Sequence, residues 1–119
     1  MALPKTLYNK ARKLDVEAFT ISIEGGSDQA YLNAEIEISE KRLNGKNVWE
    51  FVRESEPHKE LMHELERFGW ERHGHSGAGE GAAYGDHFRY DLVNKTISRT
   101  EWFHAYQERV YDNDTLETQ

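Results

Sequence analysis

The apolar positions change period several times along the chain, and each change marks an element. Leu7, Ala11 and Leu14 are spaced by four and three, with Tyr8 beside them, which predicts an N-terminal helix over Lys5 to Val16. From Ala18 the period becomes two. Phe19, Ile21 and Ile23 point one way, and Thr20, Ser22 and Glu24 the other. Gly25 to Gln29 supplies turn residues, after which Leu32, Ala34, Ile36 and Ile38 alternate with Asn33, Glu35, Glu37 and Ser39. This pattern predicts an antiparallel hairpin with one wet face. Asn44-Gly45 marks a tight turn inside the polar stretch Glu40 to Lys46. Asn47, with Glu50 three residues on, reads as a helix start. Pro57 interrupts that helix, because it has no amide hydrogen and restricts the residue before it. Ser55 is placed to cap a second piece with Pro57 in its first turn. Leu61, Leu65 and Phe68 form the stripe of this piece, and Gly69 is read as its C-cap.

Gly74, Gly77, Gly79, Gly81 and Gly85 crowd the next stretch, so His73 to Gly85 is read as a loop. Phe88, Tyr90 and Leu92 alternate again, and Asn94-Lys95 turns the chain into a last strand from Ile97 through Trp102, His104 and Tyr106. Ile97 and Trp102 differ in parity, which predicts a bulge or a change of exposure between them. The acidic tail 112–119 is expected to fray. The order α-β-β-α-β-β predicts a single α+β domain over residues 1–111, with helices packed on one face of an antiparallel sheet.

Composition narrows the class. A chain of 119 residues fits one domain. Leu, Ile, Val and Phe make up only about a fifth of it, near the level at which high charge implies disorder. Three Trp and six Tyr compensate, because aromatic side chains bury the most area. No run of apolar residues is long enough for a transmembrane helix, and Met1 to Lys10 contains no secretion signal. The absence of Cys removes thiolate chemistry and fits a cytoplasmic protein. With 15 Lys and Arg against 22 Asp and Glu, the net charge is −7. The one basic cluster is Lys5, Lys10, Arg12 and Lys13, so direct nucleic-acid binding is disfavoured and partners with basic patches are favoured.

Candidate chemistry is sparse. His73, His75 and His87, with Asp86 or Glu80, have ligand types suited to zinc, although Gly-rich surroundings give such a site little support. Otherwise these are loop histidines that bind nothing. His58 and His63 read as surface residues, since no His lies four residues from His63 to complete a zinc-protease helix. Gly77, Gly79 and Gly81 lack the following Lys and the βαβ setting of a phosphate loop. There is no Gly-x-Ser-x-Gly elbow, and no carboxylate pair stands out in an apolar setting. Trp49 and Trp102 read as core; Trp70, beside Gly69, is the one of the three expected to be partly exposed.

Two stretches carry a resemblance. One is Ile21-Ser22-Ile23-Glu24-Gly25-Gly26-Ser27-Asp28-Gln29-Ala30. The other is Gly69-Trp70-Glu71, a Gly-rich gap, then Ala83-Tyr84-Gly85-Asp86 leading to Phe88-Arg89-Tyr90-Asp91-Leu92 and Thr96-Ile97. Together, over Ala18 to Phe103, they resemble a family of small bacterial domains of unknown function, often encoded on plasmids, phages and other mobile elements. The turn here keeps a single Asp28, and the loop from Arg72 to Gly81 is longer and richer in His than the family's. The resemblance implies small size, an α+β fold and a mobile-element origin. It implies no reaction and no catalytic residues.

The expectation is therefore a small acidic non-enzymatic protein-binding domain without a cofactor. Its sharper form is a mobile-element-encoded inhibitor of a host nucleic-acid-binding protein. Trp70 and the helical carboxylates Glu50, Glu54, Glu60 and Glu64, with Glu56 and Glu66 beside them, would form its binding surface. Arg53, Lys59 and Arg67 interrupt that run, so a plain solvated helix with ion pairs explains it equally well. The alternative is a metal-binding module or metal-dependent enzyme built on His73, His75 and His87. A third reading is a homodimer paired through the hairpin edge.

Overall fold

The computed structural model of the protein describes residues 2–26, 29–73, 84–103, 108–110, 114–115 and 117–118, with side chains over 3–25, 31–73 and 85–101. Its elements are β1 (Ala2–Leu3), α1 (Lys5–Lys13), β2 (Val16–Gly26), β3 (Gln29–Ile38), α2 (Glu40–Leu43), α3 (Val48–Arg53) and α4 (Glu56–His73). They continue with β4 (Tyr84–Asp91), β5 (Thr96–Phe103), β6 (Glu108–Val110), β7 (Asp114–Thr115) and β8 (Glu117–Thr118). The main sheet is antiparallel in the order β3-β2-β4-β5-β6, and β7 also pairs with β5. The architecture is α+β, with the helices on one face.

The period-two pattern decides which side chains meet them. Phe19, Ile21 and Ile23 of β2 are fully buried, together with Ala34, Ile36 and Ile38 of β3 and Phe88 and Tyr90 of β4. Leu61, Leu65 and Phe68 of α4 close over this surface, and Leu7 and Ala11 of α1 join the same core. At its centre Phe19 stacks on Tyr90 with ring centroids 4.5 Å apart, and Phe68 meets both rings edge-on. Both are favoured aromatic geometries.

The local signals mostly act where they stand. Asn47 caps α3 by accepting the Glu50 amide at 2.8 Å. The break before Pro57 is present, with α3 ending at Arg53 and α4 starting at Glu56. The N-terminal helix stops at Lys13, short of Val16, because Asp15 turns the chain at φ 61° into β2. The polar stretch after β3 holds one helical turn, α2, capped by Ser39 and stopped by Asn44 and Gly45 in left-handed conformations.

Five expectations need correction. Gly69 does not end a helix: α4 runs on to His73, and Gly69 lies buried against the sheet. A Cβ there would sit 2.9 Å from Ile21 Cγ2 and 3.1 Å from Leu32 Cδ1, so the missing side chain serves a close approach rather than a turn. His58 is no surface residue but fully buried. Its Nε2 donates to the Leu14 carbonyl at 2.9 Å, which leaves Nδ1 to accept from the Ser55 hydroxyl at 2.7 Å. His58, with its ring held by Ser55, thus joins the first turn of α4 to the end of α1. Trp49 is not core; it is 69% exposed on α3. Of the bulge or change of exposure expected between Ile97 and Trp102, the bulge is absent, since β5 pairs with β4 in unbroken register; a register shift falls instead between Val16 and Ala18 in β2. Within the tail, finally, Asp114–Thr115 pairs with β5 and Glu117–Thr118 with β1, because polar backbone next to a free strand gains ladder hydrogen bonds. The Trp102 side chain, His104 and Tyr106 lie outside the described residues.

Gly69→Val should lower the free energy of unfolding in urea by about 1–3 kcal/mol, because the added methyl groups must displace Ile21 and Leu32. An unchanged midpoint would mean that the helix does not press on the sheet at this point.

Candidate functional site

β2, β4 and β5 have neighbours on both sides, and β6 and β7 cover the outer edge of β5. β3 is different. It pairs with β2 alone over Gln29 to Ile38, and no described strand takes its other edge. Beside that edge lies an open groove of about 420 Å³. Ala34 and Ile36 form its floor, and Val48, Trp49 and Val52 of α3 with Met62 of α4 form the far wall. Glu35 and Arg53 stand at its rim, and the Arg53 guanidinium lies 4.6 Å from the centre of the Trp49 ring. Met62, Glu66 and Trp70 follow at intervals of four on α4, which extends the ridge about 12 Å beyond Met62. It ends at Trp70, which is 46% exposed. A large exposed aromatic, Trp49, thus lines an apolar groove at a sheet edge that no described strand takes, and a second, Trp70, is exposed further along α4; exposed aromatics beside an open apolar groove are typical of interaction surfaces.

The acidic candidates do not form one surface. Glu50 is exposed on the first turn of α3. Glu54 ends that helix in an ion pair with Lys46, whose hydrogen bond and charge hold the carboxyl below its usual range. Glu64 bonds Lys10 of α1 at 2.8 Å, so it faces away from the groove, and Glu60, one turn earlier, shares its side of α4. Glu54 and Glu64 are therefore engaged within the molecule, whereas Glu50 and Glu60 face solvent.

The histidine candidates also separate. His73 is not a loop residue; it sits in the last turn of α4 and is buried. Its ring stacks on Phe88 at 3.7 Å, and Nε2 shares a 2.5 Å hydrogen bond with the Tyr90 hydroxyl. Asp86, on the same face of β4 as Phe88 and Tyr90, is buried and bonded to Arg99 at 3.1 and 3.2 Å, and Arg99 also bonds Glu101 at 2.9 Å. His87, one residue on, points to the opposite face of the sheet, since successive strand residues alternate. His73 and His87 thus cannot approach one ion. His75 lies outside the described residues, as does the Gly77–Gly81 motif, and no group of three metal-ligating side chains occurs among the described ones.

The outer face holds one arrangement that the sequence did not reveal. Ser22 and His87 are register partners 65 residues apart, and Ser22 Oγ lies 2.8 Å from His87 Nδ1. Glu24 Oε1 lies 3.9 Å from Nε2, beyond hydrogen-bond reach. The three line a shallow furrow of about 240 Å³ with Thr20, Tyr31, Asn33 and Glu35. The hydroxyl–imidazole pair is fixed, but the carboxylate that would orient the ring is not, which falls short of an activated nucleophile. On the same face Arg89 makes two 3.0 Å bonds to Glu37, and these raise its pKa.

In comparisons with protein-family models, curated proteins and solved structures, no family model, curated protein or solved structure matches this chain.

Burial, with smaller effects from the charges of Arg72 and Arg99, holds the His73 pKa at about 4, against 6.5 for a free imidazole. The unfolded chain therefore binds a proton that the folded one refuses. His73's contribution is fully present above pH 6.5 and should be lost as pH falls towards 4, by about 3 kcal/mol in all. Urea titrations across this window should show a flatter profile for His73→Gln than for the wild type. Parallel profiles would show that His73 does not govern the acid limit.

Proposed function

We infer that the protein is a non-enzymatic protein-binding domain that docks its partner in the groove beside β3. One observation carries this reading: an apolar groove of about 420 Å³ opens beside a strand edge that no described strand takes, with Trp49 69% exposed on its wall. A side chain as large as Trp is costly to leave in water and gains most when a partner covers it. The net charge of −7 favours a partner with a basic surface, and Glu35 stands at the rim of the groove.

The sharper form of the proposal is an inhibitor that occupies the nucleic-acid-binding surface of a host protein in the cytoplasm. Its support is the acidic balance, the lack of Cys and the resemblance to domains carried on plasmids and phages. No described helix is long and apolar enough to cross a membrane. The metal-binding alternative has less support, because His73 and His87 occupy opposite faces of the sheet.

The test is capture of partners from a bacterial lysate by tagged wild-type protein, Trp49→Ala and Trp70→Ala, at low and high salt. Wild type should retain a nucleic-acid-binding protein at low salt and release it at high salt. Trp49→Ala should weaken retention about tenfold or more, as expected for an interface anchor. Equal retention by wild type and both variants would remove the groove from the interface.

A further inference from the structure

We propose that the groove is read by strand addition: an extended basic segment of another protein pairs with the free edge of β3, its side chains alternating apolar and cationic. This deepens the docking reading above and rests on it.

The edge itself is the first argument. The segment Tyr31 to Ile38 contains no Pro, Gly, Lys or Arg, and from Tyr31 to Glu37 it pairs with β2 in regular register. Proteins that must keep an edge from pairing break it with bulges, prolines or inward-pointing charges. The shift in this pairing falls only at its end, where β2 holds an extra residue between Val16 and Ala18 opposite Ile38 and Glu37, so the bulge is on β2 and the edge strand itself is unbroken. The opposite side of the sheet is protected differently, with β6 and β7 laid along β5. The edge of β3 thus presents a row of backbone donors and acceptors to any chain that can reach it.

The second argument is what an added strand would meet. A strand lies about 4.8 Å from its neighbour, and its side chains alternate between the two faces. Those on the inner face would enter the groove over Ala34 and Ile36, against Val52 and Trp49. Those on the outer face would lie beside Asn33, Glu35 and Glu37. One face of the ligand must therefore be apolar and the other positive. Main-chain pairing supplies affinity in such complexes, and the alternate pockets supply selection.

The third argument chooses between occupants. A second copy pairing β3 with β3 would bring Glu35 of both chains together, each chain carrying −7, whereas Glu37 is already paired with Arg89. Like charges directly opposed across strands are unfavourable, so the charge pattern selects a basic strand and disfavours a homodimer.

The probe is a labelled ten-residue peptide alternating Val with Lys, titrated by fluorescence anisotropy into the full-length protein. A peptide of the same composition with its Val and Lys in separate blocks is the first control. The second is a pair of backbone N-methylated peptides, one methylated on the alternate amides that face β3 and one on the other set. The alternating peptide should bind. The blocked peptide and the peptide methylated towards β3 should each bind about tenfold more weakly or worse, and the other methylated peptide should match the parent. Glu35→Lys should weaken the parent peptide by a similar factor, and amide exchange should slow over residues 33–37 when it is bound.

Equal binding of both methylated peptides would overturn strand addition while leaving the groove as a docking site. Failure of the alternating peptide, with Trp49→Ala still releasing the captured partner, would do the same. A dimer by light scattering that the peptide dissociates would overturn it in favour of a second copy.

Discussion

The structure turns on the contact between α4 and the middle of the sheet at Gly69. Helix and sheet meet closely enough there that a β-carbon would overlap Ile21. β2 is an interior strand between β3 and β4, and its inner residues Phe19, Ile21 and Ile23 have no exposed area. They stay dry only because α4 lies flat on them, with Leu61, Leu65 and Phe68 on the contacting stripe. The same seating sets the flanks of the helix. On one side Met62 reaches the groove beside β3; at the C-terminal end His73 reaches Phe88 and Tyr90. A bulkier residue at position 69 would lift the helix and disturb both.

The sheet is unequal in two directions. Its inner face is covered by helices, and its outer face is a layer of hydroxyls, amides and charges, including the Arg89–Glu37 pair and the Ser22–His87 bond. Its edges differ as well, with β6 and β7 on one side and no described strand on the other. Unpaired backbone beside exposed apolar side chains costs little in water as long as the backbone stays hydrated, yet it is the surface on which another chain gains most. The docking reading follows from this asymmetry rather than from any reactive group.

Charge refines the picture. Several carboxylates are already engaged: Glu54 with Lys46, Glu64 with Lys10, Glu37 with Arg89, and Asp86 and Glu101 with Arg99. Most of these pairs are exposed and contribute little to stability. What they do is confine the available negative charge to particular places, among them Glu35 on the rim of the groove and Glu50 at the start of α3. In the docking proposal, the excess of acid would act as a field that draws basic partners from a distance, and the groove would supply the local fit.

Much of the fold could be read from spacing alone. The alternations at 19–23, 32–38 and 88–92, the cap at Asn47 and the break before Pro57 follow from local rules, because the side-chain period and capping chemistry are properties of short segments. What failed locally was decided by distant neighbours. Gly69 looked like a terminator because a glycine at a helix end and one under a close contact are identical in sequence; only Ile21 and Leu32 distinguish them. His58 and His73 looked superficial because nothing nearby announces that the Leu14 carbonyl and the Tyr90 hydroxyl will receive their ring nitrogens. Trp49 looked like core because its size favours burial, but α3 is only six residues long and leaves it on the outer wall. The separation of His73 from His87, the meeting of Ser22 with His87 and the bare edge of β3 all depend on strand register and order. Those are settled by which strands pair across the chain, and a pattern confined to one segment contains no record of its partner.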